Sequence, residues 1–170
     1  MKLFLPVVIP GLTRNHQPIR EKDYMPSDEQ ILSEAIRLVD EGVQVTLPVN
    51  GRSMYPFIIG GRESVVLVKP QELRVGHVVL AQVEGGRHVV HRIVQIVGNR
   101  ITLMGDGNLQ GREHCTTETV KALAIQVVGK TGKKRPLYGF CGNLCAKIWY
   151  VARPIRRYLL KIFRVVKGLD

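Results

Sequence analysis

Residues 76–104 read GHVVLAQVEGGRHVVHRIVQIVGNRITLM, and two glycine-containing breaks divide them into β-rich runs. Glu84-Gly85-Gly86-Arg87 and Val97-Gly98-Asn99-Arg100 each place a two-residue loop between runs rich in Val and Ile. That is the pattern of tight hairpins, whose turns need the positive φ that glycine and asparagine supply. Working outward, Val43, Val45, Leu47 and Val49 alternate with Gln44, Thr46 and Pro48, a half-buried strand that its proline puts near an edge. Ser64–Lys69 and Thr119–Val128 add further β-branched runs. Residues 43–129 are therefore expected to be mainly β, an antiparallel domain built from hairpins.

The flanks read differently. Residues 1–25 are polar and irregular after their first ten and suit an extended arm. Within 26–42, Pro26-Ser27-Asp28-Glu29-Gln30 is a helix start, with Ser27 as cap and Gln30 three residues on. Ile31, Ala35, Leu38 and Val39 give the apolar stripe, and Gly42 stops it. Residues 130–170 form a basic linker, Lys133-Lys134-Arg135-Pro136, followed by a basic amphipathic helical tail. Leu144, Ile148, Val151, Ile155, Leu159, Ile162 and Val166 mark its apolar stripe, and Pro154 kinks it or begins a second helix.

Charge follows the same division. The chain of 170 residues carries a formal net charge of +11. Residues 1–129 are close to neutral, whereas residues 130–170 hold 11 Lys and Arg against Asp170 alone. Such a tail points to an anionic surface. Its partner stays open between an anionic membrane, for which Trp149, Tyr150, Tyr158 and Phe163 suit the interfacial plane, packing on the β domain or another chain, and nucleic acid. A single N-terminal helix lacks the second, recognition helix of a helix-turn-helix, so no specific nucleic acid is expected. Apolar runs of about five residues are far short of the ~20 a spanning helix needs. Pro6 and Pro10 interrupt the signal-peptide-like opening. Cys115, Cys141 and Cys145 make no disulfide framework and no metal-ligand pattern, which fits reduced thiols in the cytoplasm.

Three short segments could carry chemistry. Asn50-Gly51-Arg52-Ser53-Met54-Tyr55-Pro56 places a serine in a tight turn after a strand, as a nucleophile requires; it also reads as an ordinary capped loop. Of the five histidines, His91 lies inside Val89-Val90-His91-Arg92-Ile93-Val94, where a core role is equally natural. Hairpin register singles it out. If Gly98 and Asn99 form the loop, Val97 pairs with Arg100 and His91 falls opposite Asp106. Directly opposed side chains come within hydrogen-bond reach, so Asp106 would fix the tautomer of the imidazole. A bulge would break this pairing, and Gly105-Asp106-Gly107-Asn108 is also a plain turn. Arg92 points to the opposite face from His91 and reads as a structural ion-pair former. Met54 lines a substrate cleft or packs inside the domain.

Gly51–Pro56, Val90–Val94 and Met104–Asn108 together resemble, in order and spacing, the signal peptidases and the related self-cleaving repressor proteases. The resemblance spans about residues 43–128. Bacterial leader peptidases carry a lysine in the middle segment; His91 is instead similar to the archaeal and endoplasmic-reticulum type. The resemblance implies a signal-peptidase-like β catalytic domain and a serine endopeptidase needing no metal or other cofactor. It also implies a peptide substrate bound as an added strand. Ser53 carries over as nucleophile and His91 as general base, with Gly51, Met54 and Pro56 beside the substrate. The third group is Asp106 or Glu113, because a further acidic pair usual in these relatives is replaced here by Asn108-Leu109-Gln110-Gly111-Arg112-Glu113; register favours Asp106. Gly51 stands where some relatives have a serine that helps bind the oxyanion, leaving that task to backbone N–H groups, chiefly that of Ser53. No N-terminal membrane anchor is expected, which is the largest departure. A catalytically silent relative that binds a peptide or leader without cutting it is the alternative reading.

Overall fold

A computed structural model of the chain describes residues 27–138, 148–149, 152 and 155–167. The arm expected over 1–25, the signal-peptide-like opening, Cys141, Cys145 and Pro154 lie outside the described residues. Helix α1 spans Asp28–Asp40 and opens on the expected capping box: Ser27 Oγ accepts the Gln30 N–H and Gln30 Oε1 accepts the Ser27 N–H. It closes at Gly42 (φ +85°), whose N–H donates to the Val39 carbonyl while that of Val43 donates to Leu38. That pair of bonds needs a left-handed residue at position 42.

Eight antiparallel strands follow: β1 (Val45–Pro48), β2 (Glu63–Val68), β3 (Val78–Gln82), β4 (His88–Val97), β5 (Arg100–Met104), β6 (Glu113–Thr116), β7 (Val120–Gly129) and β8 (Lys134–Pro136). They form one curled sheet in the order β1-β2-β7-β3-β4-β5-β6, with β8 continuing on β7 where β3 leaves off. β1 is an edge strand, as its proline implies. Part of the stretch expected as a basic linker is thus a strand. Helix α2 (Arg156–Lys167) lies in the tail. Among the described residues no helix is long and apolar enough to cross a membrane.

The two hairpin loops differ in length. Val97 pairs with Arg100, a two-residue loop as expected. In the other, the Val83 N–H donates to the Arg87 carbonyl, so Glu84, Gly85 and Gly86 form a three-residue loop. Three bulges curl the sheet, since each adds a residue to one strand only. Two are on β7, where Lys121 and Ile125 are extra; the third is on β4, where Val94 is extra between Ile93↔Leu103 and Gln95↔Thr102. Alternating residues feed two cores. Val78 and Leu80 join Val39, Ile58, Val65 and Val127 under α1, whereas Val79 and Ala81 join Ile93, Ile101, Leu103 and Cys115 on the other face.

Candidate active site

Ser53 sits in the turn between β1 and β2, and three glycines let that turn close. A Cβ on Gly60 would lie 2.0 Å from the Gly51 carbonyl oxygen, one on Gly105 2.4 Å from that of Ser53, and one on Gly107 2.6 Å from that of Arg52. Real Cβ atoms do not approach backbone so closely, so the Gly105-Asp106-Gly107 turn and the serine turn interlock only with hydrogens there. The Gly107 N–H donates to the Ser53 carbonyl at 2.7 Å and stitches the two turns together. Farther along the loop, Glu63 accepts the Ile59 N–H at 2.7 Å, and Arg135 donates to the Phe57 carbonyl and to Glu63. The Tyr55–Pro56 peptide bond is cis.

His91 is buried, and its Nδ1 lies 2.6 Å from Oε2 of Glu113. Glu113 opens β6, and its other oxygen takes a hydrogen bond from exposed Arg87 at the far end of the β3–β4 hairpin. β5 ends at Met104, so the His88–His91 end of β4 runs on beyond its partner strand, where Glu113 can meet it. Burial pushes the His91 imidazole below its ordinary value, and Arg87 adds to this; the Glu113 charge and hydrogen bond, and the Asp106 charge, work against it. The net effect favours the neutral ring.

The structure does not place Asp106 beside His91. Because of the Val94 bulge, Arg92 pairs with Met104, which puts Gly105 opposite His91 and sends the Asp106 side chain to the face of Arg92. Arg92 Nε and Nη2 donate to the Asp106 carboxylate at 2.9 and 2.7 Å, and both residues are buried. The bidentate pair wins over the burial of the guanidinium, so the Arg92 pKa is raised. The Arg92 guanidinium also lies 5.3 Å from the Phe57 ring centroid, and Trp149 meets Phe57 edge-on at 6.1 Å. Arg92 is thus the ion-pair former expected, and its partner is the acid that the hairpin count assigned to His91. Glu113 is the carboxylate at the imidazole. Arg87, which pairs with it, reads in the sequence only as the residue that closes a glycine turn.

Ser53, Gly51, Met54, His91 and Glu113 all line one cleft of about 570 Å³, with α1 contributing Asp28, Ile31 and Leu32. Met54 lines this cleft and, 6% exposed, also joins the core under α1. Pro56, expected beside the substrate, is not among the residues that line this cleft. Among the described residues the Ser53 hydroxyl has no hydrogen-bond partner, and no hydrogen bond joins it to His91. The Ser53 and Met54 N–H groups have no backbone acceptor among the described residues either. No three His, Cys, Asp or Glu side chains among the described residues are grouped to hold a metal ion.

The tail reaches this site. Trp149 Nε1–H donates to the Asp106 carbonyl at 2.7 Å, and Arg156 donates to the carbonyls of Asn108 and Trp149, each at 3.0 Å. Phe163 packs 6.2 Å from Tyr55. No protein-family model and no curated protein matches the sequence.

Proposed function

We propose that this protein is a serine endopeptidase of signal-peptidase type, in which Ser53 attacks the scissile carbonyl, His91 is its base and Glu113 orients the imidazole. The observation that carries this reading is the 2.6 Å contact between His91 Nδ1 and Glu113 Oε2 on the wall of a cleft that Ser53 also lines. A carboxylate oxygen only accepts, so the imidazole proton belongs on Nδ1 and the Nε2 lone pair is left for the serine. Nε2 takes the Ser53 proton as Oγ bonds to the carbonyl carbon, whose π pair moves onto oxygen. The N–H groups of Ser53 and Met54 are the donors for that oxyanion. The imidazolium returns the proton to the leaving amine as the C–N bond breaks. Water then repeats the sequence on the acyl-serine and releases the acid.

The substrate would lie extended on the free edge of β4. Ile93 exchanges hydrogen bonds with Gly76 and His77; by two-residue alternation, Val89 and His91 face β3 too. The main-chain groups of His88 and Val90 therefore face outward, beyond the end of β5, where an added strand can pair with them. The test is labelling of the full chain by a fluorophosphonate probe, with a degenerate peptide library read by mass spectrometry. Wild type should label and cleave; Ser53→Ala should do neither while melting like wild type, and His91→Ala should do neither, with a lower melt because a buried side chain is lost. Labelling retained in Ser53→Ala, or a wild type inert to both reagents, overturns the proposal. The unbonded Ser53 hydroxyl favours a second reading, a cleft that binds a peptide or leader without cutting it. Equal retention of library peptides by wild type and Ser53→Ala, with no product, would establish that instead.

A further inference from the structure

We propose that α2 is a docking element for an anionic lipid bilayer; this holds whether or not Ser53 is catalytic. One side of α2 is already used: Arg156 and Leu160 are 3% and 4% exposed against the domain, and Phe163 meets Tyr55. At 100° per residue, Ile155, Tyr158, Ile162, Val165 and Val166 fall on a different arc. They are 53%, 55%, 61%, 63% and 75% exposed, an apolar stripe that a monomer rarely leaves in water. A row of basic positions, 157, 161 and 164, runs between this stripe and the docked side, and Arg157 lies over the Tyr158 ring at 4.6 Å. An apolar stripe bordered by a basic row, in a segment with 11 Lys and Arg and one acid, matches the boundary between acyl chains and anionic headgroups.

Charge decides among the occupants. A second copy seated on this stripe would bring two segments of net charge +10 together, a repulsion that a lipid surface reverses into attraction. A nucleic acid would engage the basic row but leave the aliphatic stripe in water. The docked side also ties the membrane surface to the site, because Trp149 and Arg156 hold the carbonyls of Asp106 and Asn108.

The experiment is co-sedimentation of the full chain with phosphatidylcholine vesicles, with and without phosphatidylglycerol, at low and high salt. Binding should require phosphatidylglycerol and fall at high salt. Arg157→Gln with Lys161→Gln should lower partitioning about fivefold per charge removed, and Ile162→Gln by at least about tenfold. These side chains are exposed, so both variants should melt like wild type. Absent binding, equal binding to both vesicle types, or binding that neither variant weakens would overturn the proposal. So would either of two other findings in the absence of vesicle binding: a dimer that Ile162→Gln dissolves, or retention by a DNA duplex.

Discussion

Replacing Glu113 with glutamine separates the two carboxylates near β4 and tests the proposed catalytic arrangement. Glu113 accepts from His91 Nδ1 at 2.6 Å, which holds the imidazole in the one tautomer whose Nε2 can take a proton. A carboxamide can instead turn its NH2 toward Nδ1, and the ring then keeps its proton on Nε2, where no base is left. Loss of an orienting carboxylate from a Ser-His-acid arrangement costs about 10⁴ in rate, or about 5.4 kcal/mol of transition-state stabilisation. The fold should barely respond. The second oxygen of Glu113 pairs with Arg87, whose side chain is 69% exposed, and such pairs contribute at most about 1 kcal/mol. The assay is the second-order rate of fluorophosphonate labelling across pH, beside a thermal melt. The Glu113 charge raises the His91 pKa against the lowering by burial, so the acid limb of the residual activity should move to lower pH. Labelling within tenfold of wild type, or an acid limb shifted upward, would refute the assignment.

Asp106→Asn should behave oppositely. It strips a buried guanidinium of its bidentate partner, a loss of about 3–5 kcal/mol, seen as a melting point lower by roughly 6–20 °C; an unchanged melt would show that the pair does not hold the fold. Gly60→Ala places a Cβ 2.0 Å from the Gly51 oxygen, so it should cost about 1–3 kcal/mol and abolish labelling of Ser53 together. Because His91 is held below its ordinary pKa, the unfolded chain binds the extra proton. Its contribution is therefore complete above about pH 6.5 and shrinks as pH falls from there toward the folded-state value. Denaturant melts from pH 7 to 5 should show a steeper loss for wild type than for His91→Gln. Trp149 is the single tryptophan, and its indole donates to the Asp106 carbonyl. Releasing the tail with Arg156→Ala should therefore red-shift its emission; an unchanged spectrum would mean that Arg156 does not hold the tail in place.

Much of the architecture was legible because local chemistry and tertiary structure agree there. Ser27, Gln30 and Gly42 cap α1 with their own side chain or φ, and the alternation in Val43–Val49 survives as edge strand β1. Gly98-Asn99 sets the register of β4 on β5 near the turn without help from anywhere else. β6 was not legible, since Glu113–Thr116 is four residues with no apolar alternation and forms because β5 offers an open edge. β8 was hidden for a related reason. Lys134–Pro136 looks like solvated charge until Arg135 is seen donating to the Phe57 carbonyl and Glu63.

The site shows how far one inserted residue propagates. Counted from Gly98-Asn99, β4 and β5 stay in step through Gln95↔Thr102, then Val94 bulges and every later pair moves by one. In a strand one step is a change of face. Asp106 therefore leaves the side of His91 for that of Arg92, where a guanidinium fork fits a carboxylate and burial makes the pair mutually dependent. His91, buried and without that acid, is met instead by Glu113 from β6, two strands away in the sheet. Nothing in the sequence near Val94 announces the bulge, because Ile93-Val94-Gln95 is as good a straight strand as any in the chain. The clue that was available lies in charge. Arg92 is the one cation inside the apolar run from Val89 to Val97, and a buried cation needs a buried acid. Asp106 and Glu113 are the two acids between β5 and the end of β6. Giving Arg92 first claim on the nearer one leaves Glu113 for the imidazole.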